Sequence, residues 1–177
     1  MEAILPDGAR VHYRPLRAGD HGRVLRGIEL LSHASLDARF LASGYRRERI
    51  RLDWLERLGR DVAVGACDPL SGEPVGLARY VVADADEGVA EVAITIVDAW
   101  QRRGVGTVLL ALLTREAEAS GITTFVGTAR ADNRGARALA RSLGPPALSV
   151  EDHGVIEWSF AVRAGRASHP QPAYTAA

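Results

Sequence analysis

A short glycine-containing loop between a strand pattern and a long amphipathic helix constrains this chain most. Residues 89–97 favour a strand, and apolar residues recur at helical spacing from Gly104 to Ser120. The loop and the helix start read Gln-Arg-Arg-Gly-Val-Gly from Gln101 to Gly106. The glycines permit a tight turn and close approach of a ligand, and the unpaired amides of a first helical turn favour an anion. The pattern therefore predicts a diphosphate-binding loop, with a simple turn as the alternative.

Two residue-level observations narrow the choice of diphosphate ligand. A dinucleotide fingerprint needs a third glycine at position 109, where this chain has Leu109. All 22 basic residues are arginine, and the sequence contains no lysine. A phosphate-binding P-loop and a pyridoxal-phosphate enzyme both require a lysine, so both classes are excluded. The absence of lysine has two alternative explanations. A GC-rich genome can replace lysine codons with arginine codons, or an enzyme that acylates lysine can lack lysine because this avoids its own modification.

The remaining patterns predict one α/β (α+β) domain over residues 1–163, followed by a flexible tail over 164–177. Seven strands are expected, at 9–15, 62–67, 75–83, 89–97, 123–130, 147–150 and 155–162. Five helices are expected, at 17–31, 35–42, 46–58, 104–120 and 133–143. Asp20 is expected to cap the first helix.

Composition limits the partners of the protein. The formal net charge is zero, which does not indicate a nucleic-acid-binding surface. No apolar run is long enough to span a membrane, and the first residues do not have the pattern of a secretion signal. Cys67 is the single cysteine and the histidines lack ligand spacing, so no metal site is expected. Together these features predict a cytoplasmic protein.

The loop and its neighbours resemble the GNAT acyltransferase superfamily. Gln101-Arg102-Arg103-Gly104-Val105-Gly106 is similar to the family pattern Gln/Arg-x-x-Gly-x-Gly/Ala. Asn133, Ala136, Leu139, Leu143 and Gly144 also match the family's next helix, and the resemblance extends from about residue 9 to residue 162. Residues 31–40 and 90–93 are similar to the acyltransferase domain of bacterial protein lysine acetyltransferases.

The resemblance implies a GNAT-like mixed, mostly antiparallel central sheet of about seven strands, flanked by helices, with two splayed strands that hold coenzyme A. Acetyl-CoA would be the co-substrate. Backbone groups at the end of the strand at 89–97 would bind the pantetheine arm, and amides of the loop would bind the diphosphate. The helix at 133–143 would contact the cofactor as well. The implied cofactor-binding residues are Ile94, Thr95, Ile96, Val97, Gln101, Arg102, Arg103, Gly104, Val105, Gly106, Thr107, Asn133 and Arg137.

Glu91 is the candidate catalytic residue. An amine must be neutral to attack a thioester, but an alkylamine with a pKa near 10.4 is mostly protonated at pH 7, so a general base is useful. Glu91 lies on the strand that leads into the loop, and related lysine acetyltransferases have a glutamate base in a similar place. The alternative interpretation is an exposed strand-end glutamate paired with Arg79.

The expected function is transfer of an acetyl group to a primary amine, either a protein lysine or a small molecule such as an aminoglycoside or polyamine. Many family members carry a tyrosine as general acid where this chain has Ala140, so water is the expected proton source. A non-catalytic acyl-CoA sensor is the hypothesis from a different class. The oligomeric state is left open, with a homodimer as one option.

Overall fold

An eight-stranded sheet forms the centre of the protein. The computed structural model describes residues 1–41, 46–47, 50–59, 61–84, 86–146 and 148–162, so the predicted tail lies outside it. The strands run in the order β1-β2-β3-β4-β5-β6-β8-β7, and only β5 and β6 are parallel neighbours. The strands are β1 Glu2–Ile4, β2 Arg10–Pro15, β3 Val62–Cys67, β4 Pro74–Val82, β5 Val89–Ile96, β6 Thr124–Arg130, β7 Leu148–Asp152 and β8 Val155–Ala161.

The helices cover both faces of this sheet. They are α1 His21–Glu29, α2 His33–Phe40, α3 Val105–Ala119 and α4 Arg134–Ser142. Helix α3 packs across β3, β4 and β5, where Leu109, Leu113, Ala78 and Tyr80 form part of the buried core. Because successive side chains of a strand alternate between faces, Leu77 and its same-face neighbours on β4 point away from α3 and toward α1. The predicted mixed, mostly antiparallel fold is confirmed.

The first strand was not expected from the sequence. Ala3 pairs with Val11, and the turn between β1 and β2 closes with the Leu5 amide donating to the Ala9 carbonyl at 2.8 Å. Gly8 takes φ +84° in this turn, a conformation that suits glycine. Three residues are too few for a recognisable alternating pattern, so the sheet has eight strands rather than about seven.

The helical prediction for residues 46–58 is confirmed only in part of the described residues. Asp53–Arg57 form a 3₁₀ helix, Arg47 also has 3₁₀ conformation, and residues 46 and 50–52 are irregular. Arg47 donates hydrogen bonds to the carbonyl of Ile28, in the last turn of α1, and to the carbonyl of Leu31, just after that helix. A basic side chain can satisfy the unpaired carbonyls at a helix end in this way.

The prediction for Asp20 is also corrected. A 3₁₀ turn, Ala18–Asp20, precedes α1, and the Asp20 side chain makes no capping bond to that helix. Its carboxylate accepts from the Arg17 amide and from Arg14 Nη1, both at 2.9 Å. An ion pair with a preceding strand therefore takes the place of the expected cap.

Strands β5 and β6 separate along their length, as expected for the splayed pair. Their pairing is limited to Val89 with Thr124, Ala90 with Phe125 and Glu91 with Val126. Beyond Glu91, β5 continues to Ile96 beside β4, while β6 continues to Arg130 beside β8. A gap therefore opens in the middle of the sheet. No helix in the described part of the chain combines the length and apolar character needed to cross a membrane.

Candidate functional site

The gap between β5 and β6 exposes backbone hydrogen-bonding groups. The Val97 amide donates to the Val75 carbonyl at 3.0 Å, and the Val89 carbonyl accepts from the Ala83 amide at 2.8 Å. Backbone groups alternate in direction along a strand, so the odd-numbered residues of β5 face β4 and the even-numbered ones face the gap. Ile94 therefore presents its amide and carbonyl to the gap, whereas the backbone groups of Thr95 and Val97 face β4.

The first turn of α3 opens toward the same end of the gap. Arg102 has φ +59° and Gly104 has φ +100°, so the loop turns sharply just before Val105. Within the described residues, no backbone acceptor is found for the amides of residues 102–106, and the first bonds of the helix are those from Thr107 and Val108 to the Gly104 carbonyl. A row of unpaired amides at a helix N-terminus suits an anionic group.

Gly106 lies against the following helix. A Cβ at this position would meet Leu139 Cδ1 of α4 at 3.2 Å and Cδ2 at 3.3 Å, and Ile96 Cγ1 of β5 at 3.8 Å. These contacts are tight for a side chain, so the absence of a Cβ lets α4 approach the start of α3. The second glycine of the motif therefore has a packing role in addition to any contact with a ligand.

Arg103 is held beside the loop by two neighbours. Its Nε lies 2.6 Å from Asp7 Oδ2, and its guanidinium lies 4.2 Å from the centre of the Trp100 ring. Hydrogen bonding from Arg103 and then from the Ala9 amide holds the pKa of the Asp7 carboxyl below its usual value. Arg102, by contrast, is exposed at the turn. The carboxylate of Asp7, in the turn between β1 and β2, thus balances part of the positive charge of Arg103.

Gln101 connects the end of β5 with α2. Its Nε2 donates to the Ile96 carbonyl and to Ser35 Oγ, each at 3.1 Å. Ser35 Oγ also donates to Asp98 Oδ1 at 2.9 Å, and Asp98 Oδ2 accepts from the Ser32 amide at 3.0 Å. The Gln101 side chain, predicted to contact the cofactor, therefore fixes the loop relative to α2.

Asn133 and Arg137 stand at the start of α4. Asn133 Oδ1 accepts from the Ala136 amide at 3.0 Å, which makes Asn133 the N-cap of the helix. Arg137 Nη1 donates to the Ala131 carbonyl at 3.3 Å. Among the residues that the structure describes, no acceptor is found for the side-chain amide donors of Asn133, and both residues remain predicted cofactor contacts.

A cleft of about 140 Å³ lies on the opposite face of the sheet from α3. Its floor includes Leu77 and Arg79 of β4 and Ala93, Thr95 and Val97 on and just after β5. Its walls come from α1, from the end of α2 and from the 3₁₀ turn at residues 53–57. These wall residues include Val24, Ile28, Leu31, Phe40 and Trp54. We call this space the sheet cleft.

Glu91 is exposed and lies on the face of the sheet that carries the cleft. It is paired with Val81 of β4 and with Val126 of β6, the last pair before the strands separate. In the described part of the chain, neither an ion pair nor a hydrogen bond to its carboxylate is found. The guanidinium of Arg79 instead lies 4.7 Å from the centre of the Trp54 ring.

Sequence reasoning missed several polar residues that shape the site. Ser32 and Ser35 each lie 66 residues from a hydrogen-bonding partner, Asp98 and Gln101 respectively, and Asp7 lies 96 residues from Arg103, so no local pattern links them. Ser32 alone carried a signal, because serine at the start of a helical pattern is a typical N-cap. His153 is exposed in the last hairpin and pairs with Asp152 at 2.7 Å.

Comparison with known proteins agrees with this geometry. The model of the Acetyltransferase (GNAT) family matches residues 29–144. The acetyltransferase PA5475 of Pseudomonas aeruginosa is 35% identical over 144 residues, which cover 79% of this chain and 77% of the relative. The acetyltransferase Pat of Mycolicibacterium smegmatis is 28% identical over 84% of this chain, but the match spans only 45% of Pat.

Solved structures show the same fold. The GNAT domain of S. lividans PAT has a TM-score of 0.77 and 28% identity, covering 91% of this chain and 96% of that domain. The Salmonella typhimurium protein yncA, described as a putative acetyltransferase with its cofactor acetyl-CoA, has a TM-score of 0.67 and 21% identity, covering 92% of this chain and 97% of yncA. The chain belongs to the GNAT family of acetyltransferases.

Proposed function

We propose that the protein transfers the acetyl group of acetyl-CoA to a primary amine, with Glu91 as the general base. The observation that carries this proposal is the position of Glu91 at the point where β5 and β6 separate. There the carboxylate is exposed, on the cleft side of the sheet and next to the open strand edge. A base in this place can reach an amine that approaches from the cleft.

Acetyl-CoA fits the groups that line the gap and the loop. The unpaired amides of residues 102–106 suit the diphosphate, and the exposed Arg102 adds positive charge. The free amide and carbonyl of Ile94 match the amide groups of a pantetheine arm, and Ile96 presents its amide to the same gap. Asn133 offers amide donors from the start of α4. Thr95, Val97 and Thr107 support these contacts by forming the strand end and the helix start, next to the amides of Val105 and Gly106.

The proposed reaction is a direct attack. The acceptor enters as the neutral amine, its nitrogen forms a bond to the acetyl carbonyl carbon, Glu91 takes the one proton that the nitrogen loses, and the carbon–sulfur bond breaks. The departing thiolate takes a proton from water, because position 140 is alanine and offers no hydroxyl. A thiol pKa near 8.5 makes the thiolate a tolerable leaving group at neutral pH.

Two acceptor classes are compatible with this chemistry. The resemblance of residues 31–40 and 90–93 to bacterial protein lysine acetyltransferases supports a protein lysine. The small volume of the sheet cleft supports a small-molecule amine instead. The cytoplasmic location predicted from the sequence suits either acceptor.

Two variants test the catalytic assignment. Glu91→Gln should lower kcat about 10²- to 10⁴-fold while leaving acetyl-CoA affinity unchanged, because a general base contributes to rate and not to cofactor binding. Glu157→Gln, at an exposed strand glutamate of β8, is the matched control and should keep full turnover. Equal turnover of Glu91→Gln and the natural protein would remove Glu91 as the base.

A third variant tests the diphosphate loop. Gly104 has φ +100°, and a Cβ there would approach Pro6 Cδ at 3.3 Å. Gly104→Glu should abolish acetyl-CoA binding in isothermal titration, because it adds both strain and negative charge at the loop. Arg102→Gln, which adds neither strain nor bulk, should weaken binding only in part. Unchanged binding by Gly104→Glu would contradict the loop assignment.

A further inference from the structure

Apolar side chains form most of the walls of the sheet cleft. Val24 and Ile28 come from α1, Leu31 follows that helix, and Leu52 and Trp54 lie at the start of the 3₁₀ turn at residues 53–57. Within the part of the chain that the structure describes, no aspartate or glutamate lines the cleft. A space with such walls binds an uncharged apolar group better than a charged one.

Five arginines also line the cleft, and each of them lies close to a neighbouring side chain. Three lie beside an aspartate, namely Arg14 and Arg23 beside Asp20, and Arg51 beside Asp53. The other two lie over aromatic rings, namely Arg39 over Phe40 and Arg79 over Trp54. Because the guanidinium groups already have these neighbours, they give no reason to expect an anionic ligand. The apolar walls therefore determine what the cleft binds.

The volume of the sheet cleft limits the size of its ligand. The cleft measures about 140 Å³. An apolar protein cavity of about 150 Å³ holds one benzene molecule. The sheet cleft therefore fits a group of about the size of one aromatic ring, whereas the several rings of an aminoglycoside exceed it.

The exposed carboxylate of Glu91 lies next to this apolar floor. On β5 the floor begins at Ala93, the next residue after Glu91 on the same face, and continues with Thr95. Successive residues on one face of a strand are about 7 Å apart. An amine that contacts Glu91 can therefore place a group in the cleft if one or two carbon atoms join the group to the nitrogen.

We propose that the acceptor is a small primary amine with one uncharged apolar group of about ring size, the apolar group in the sheet cleft and the nitrogen at Glu91. This inference rests on the proposed acetyl transfer and names its acceptor class. The products are the N-acetyl amine and coenzyme A. A second positive charge, as in spermidine, would lose its hydration among the apolar walls, where no carboxylate replaces that hydration within the described residues.

The test compares amines of similar basicity that differ in the attached group. Thiol release from acetyl-CoA is measured with 2-phenylethylamine, ethylamine, spermidine and a lysine-containing peptide. The kcat/KM for 2-phenylethylamine should exceed that for ethylamine about 10- to 100-fold, as expected when one aromatic side group is buried. A higher kcat/KM for ethylamine, spermidine or the peptide would overturn the inference while leaving the proposed acetyl transfer intact.

Substitutions on α1 assign the preference to the cleft. Ile28→Ala removes part of one wall, so it should lower kcat/KM for 2-phenylethylamine about tenfold and leave ethylamine nearly unchanged. The wider cleft should also accept 2-(1-naphthyl)ethylamine better than the natural protein does. Leu25→Ala is the matched control, because Leu25 is an exposed apolar residue of the same helix outside the cleft lining. Equal preferences in Ile28→Ala and Leu25→Ala would contradict the inference.

A second acyl donor tests whether the cleft holds the acyl group instead of the acceptor. Acetyl-CoA and butyryl-CoA are compared with ethylamine as acceptor. Acetyl-CoA should be used at least as well as butyryl-CoA, and Ile28→Ala should not change their ratio. A preference for butyryl-CoA that disappears in Ile28→Ala would place the acyl chain in the cleft and overturn the inference.

Binding and folding measurements separate the remaining outcomes. Calorimetry with CoA-saturated protein should show tighter binding of 2-phenylethylamine than of ethylamine, without turnover. Circular dichroism shows whether each variant folds, and acetyl-CoA affinity should be the same in Ile28→Ala and the natural protein. If no amine in the panel is acetylated although acetyl-CoA binds, the proposed function fails and this inference fails with it.

Discussion

The Ser32 hydroxyl donates to Asp98 Oδ1 at 2.7 Å, a bond between residues 66 positions apart in the chain. Ser32 is the N-cap of α2, and Asp98 lies just after β5, so the bond joins a helix of the cleft wall to the strand at the gap. Burial alone would raise the pKa of Asp98. Hydrogen bonds from Ser32 and Ser35 outweigh that effect and hold the pKa below its usual value.

Asp98→Asn should disturb the position of the loop without changing the size of the side chain. An amide accepts more weakly than a carboxylate, so we expect a loss of about 1 kcal/mol of stability in urea unfolding. Because Gln101 shares Ser35 with Asp98, acetyl-CoA affinity should also fall severalfold. Asp132→Asn, at an exposed ion pair with Arg130, is the control and should change neither quantity appreciably. Unaltered acetyl-CoA affinity in Asp98→Asn would show that α2 does not position the loop.

Gly106→Ala should weaken both packing and cofactor binding. The new Cβ would lie 3.2 Å from Leu139 Cδ1, so α4 must shift or the side chain must move. We expect a loss of about 1–3 kcal/mol, measured by chemical denaturation. Gly22→Ala in α1, where nothing lies within 4 Å, should instead be neutral or slightly stabilising.

A second substitution separates the two effects of Gly106→Ala. Leu139→Ala removes the atoms that the new Cβ would meet, so the double variant should lose less stability than the sum of the single losses. If acetyl-CoA affinity stays low in the double variant, the Cβ obstructs the ligand directly. Additive stability losses would show that Leu139 is not the residue that requires glycine at 106.

Two substitutions separate the capping role of Asn133 from its proposed role in binding the cofactor. Asn133→Asp keeps the side-chain oxygen that caps α4 and adds a negative charge, so stability should be preserved while acetyl-CoA affinity falls. Asn133→Ala should cost about 1 kcal/mol of stability in denaturant unfolding, because the Ala136 amide loses its acceptor. Asn133→Asp with undiminished affinity would remove Asn133 from the cofactor site.

The strands and helices were predictable where the pattern that indicates them lies within a short stretch of sequence. The repeat of β-branched residues before Gln101 and the helical spacing after Gly104 fixed the strand, the loop and α3 to within one or two residues. The predicted splay is confirmed by the pairing of β5 with β6, which ends at Glu91. The strand, the loop and α3 were predictable because their patterns lie in neighbouring residues, and the splay was predictable from the family resemblance.

The parts that were missed depend on contacts between distant segments. Arg47 donates to the carbonyls of Ile28 and Leu31, which lie 19 and 16 residues earlier in the chain, and no local pattern indicated this contact. The ion pair of Asp7 with Arg103 joins positions 96 residues apart, beyond the range of any local pattern. The cleft arginines are likewise brought together only by the fold.

The pair of Asp20 with Arg14 should make stability depend on pH in the acid range. Hydrogen bonding from Arg14 outweighs burial and lowers the pKa of Asp20 from 3.8 to about 2, and the carboxylate is nearly buried. A carboxyl whose pKa is lower in the folded state stabilises the protein above its unfolded pKa. That stabilisation is lost as the pH falls through the folded value, here between about 4 and 2.

Asp20→Asn should therefore lower the free energy of unfolding by about 2 kcal/mol at pH 7, as a shift of nearly two pKa units implies. The difference between the variant and the natural protein should shrink as the pH falls from 4 toward 2, because protonation removes the same charge from the natural protein. Urea unfolding of both proteins between pH 4 and pH 2 measures this difference in the free energy of unfolding. A difference that stays constant down to pH 2 would mean that Asp20 stabilises the fold through its shape and not through its charge.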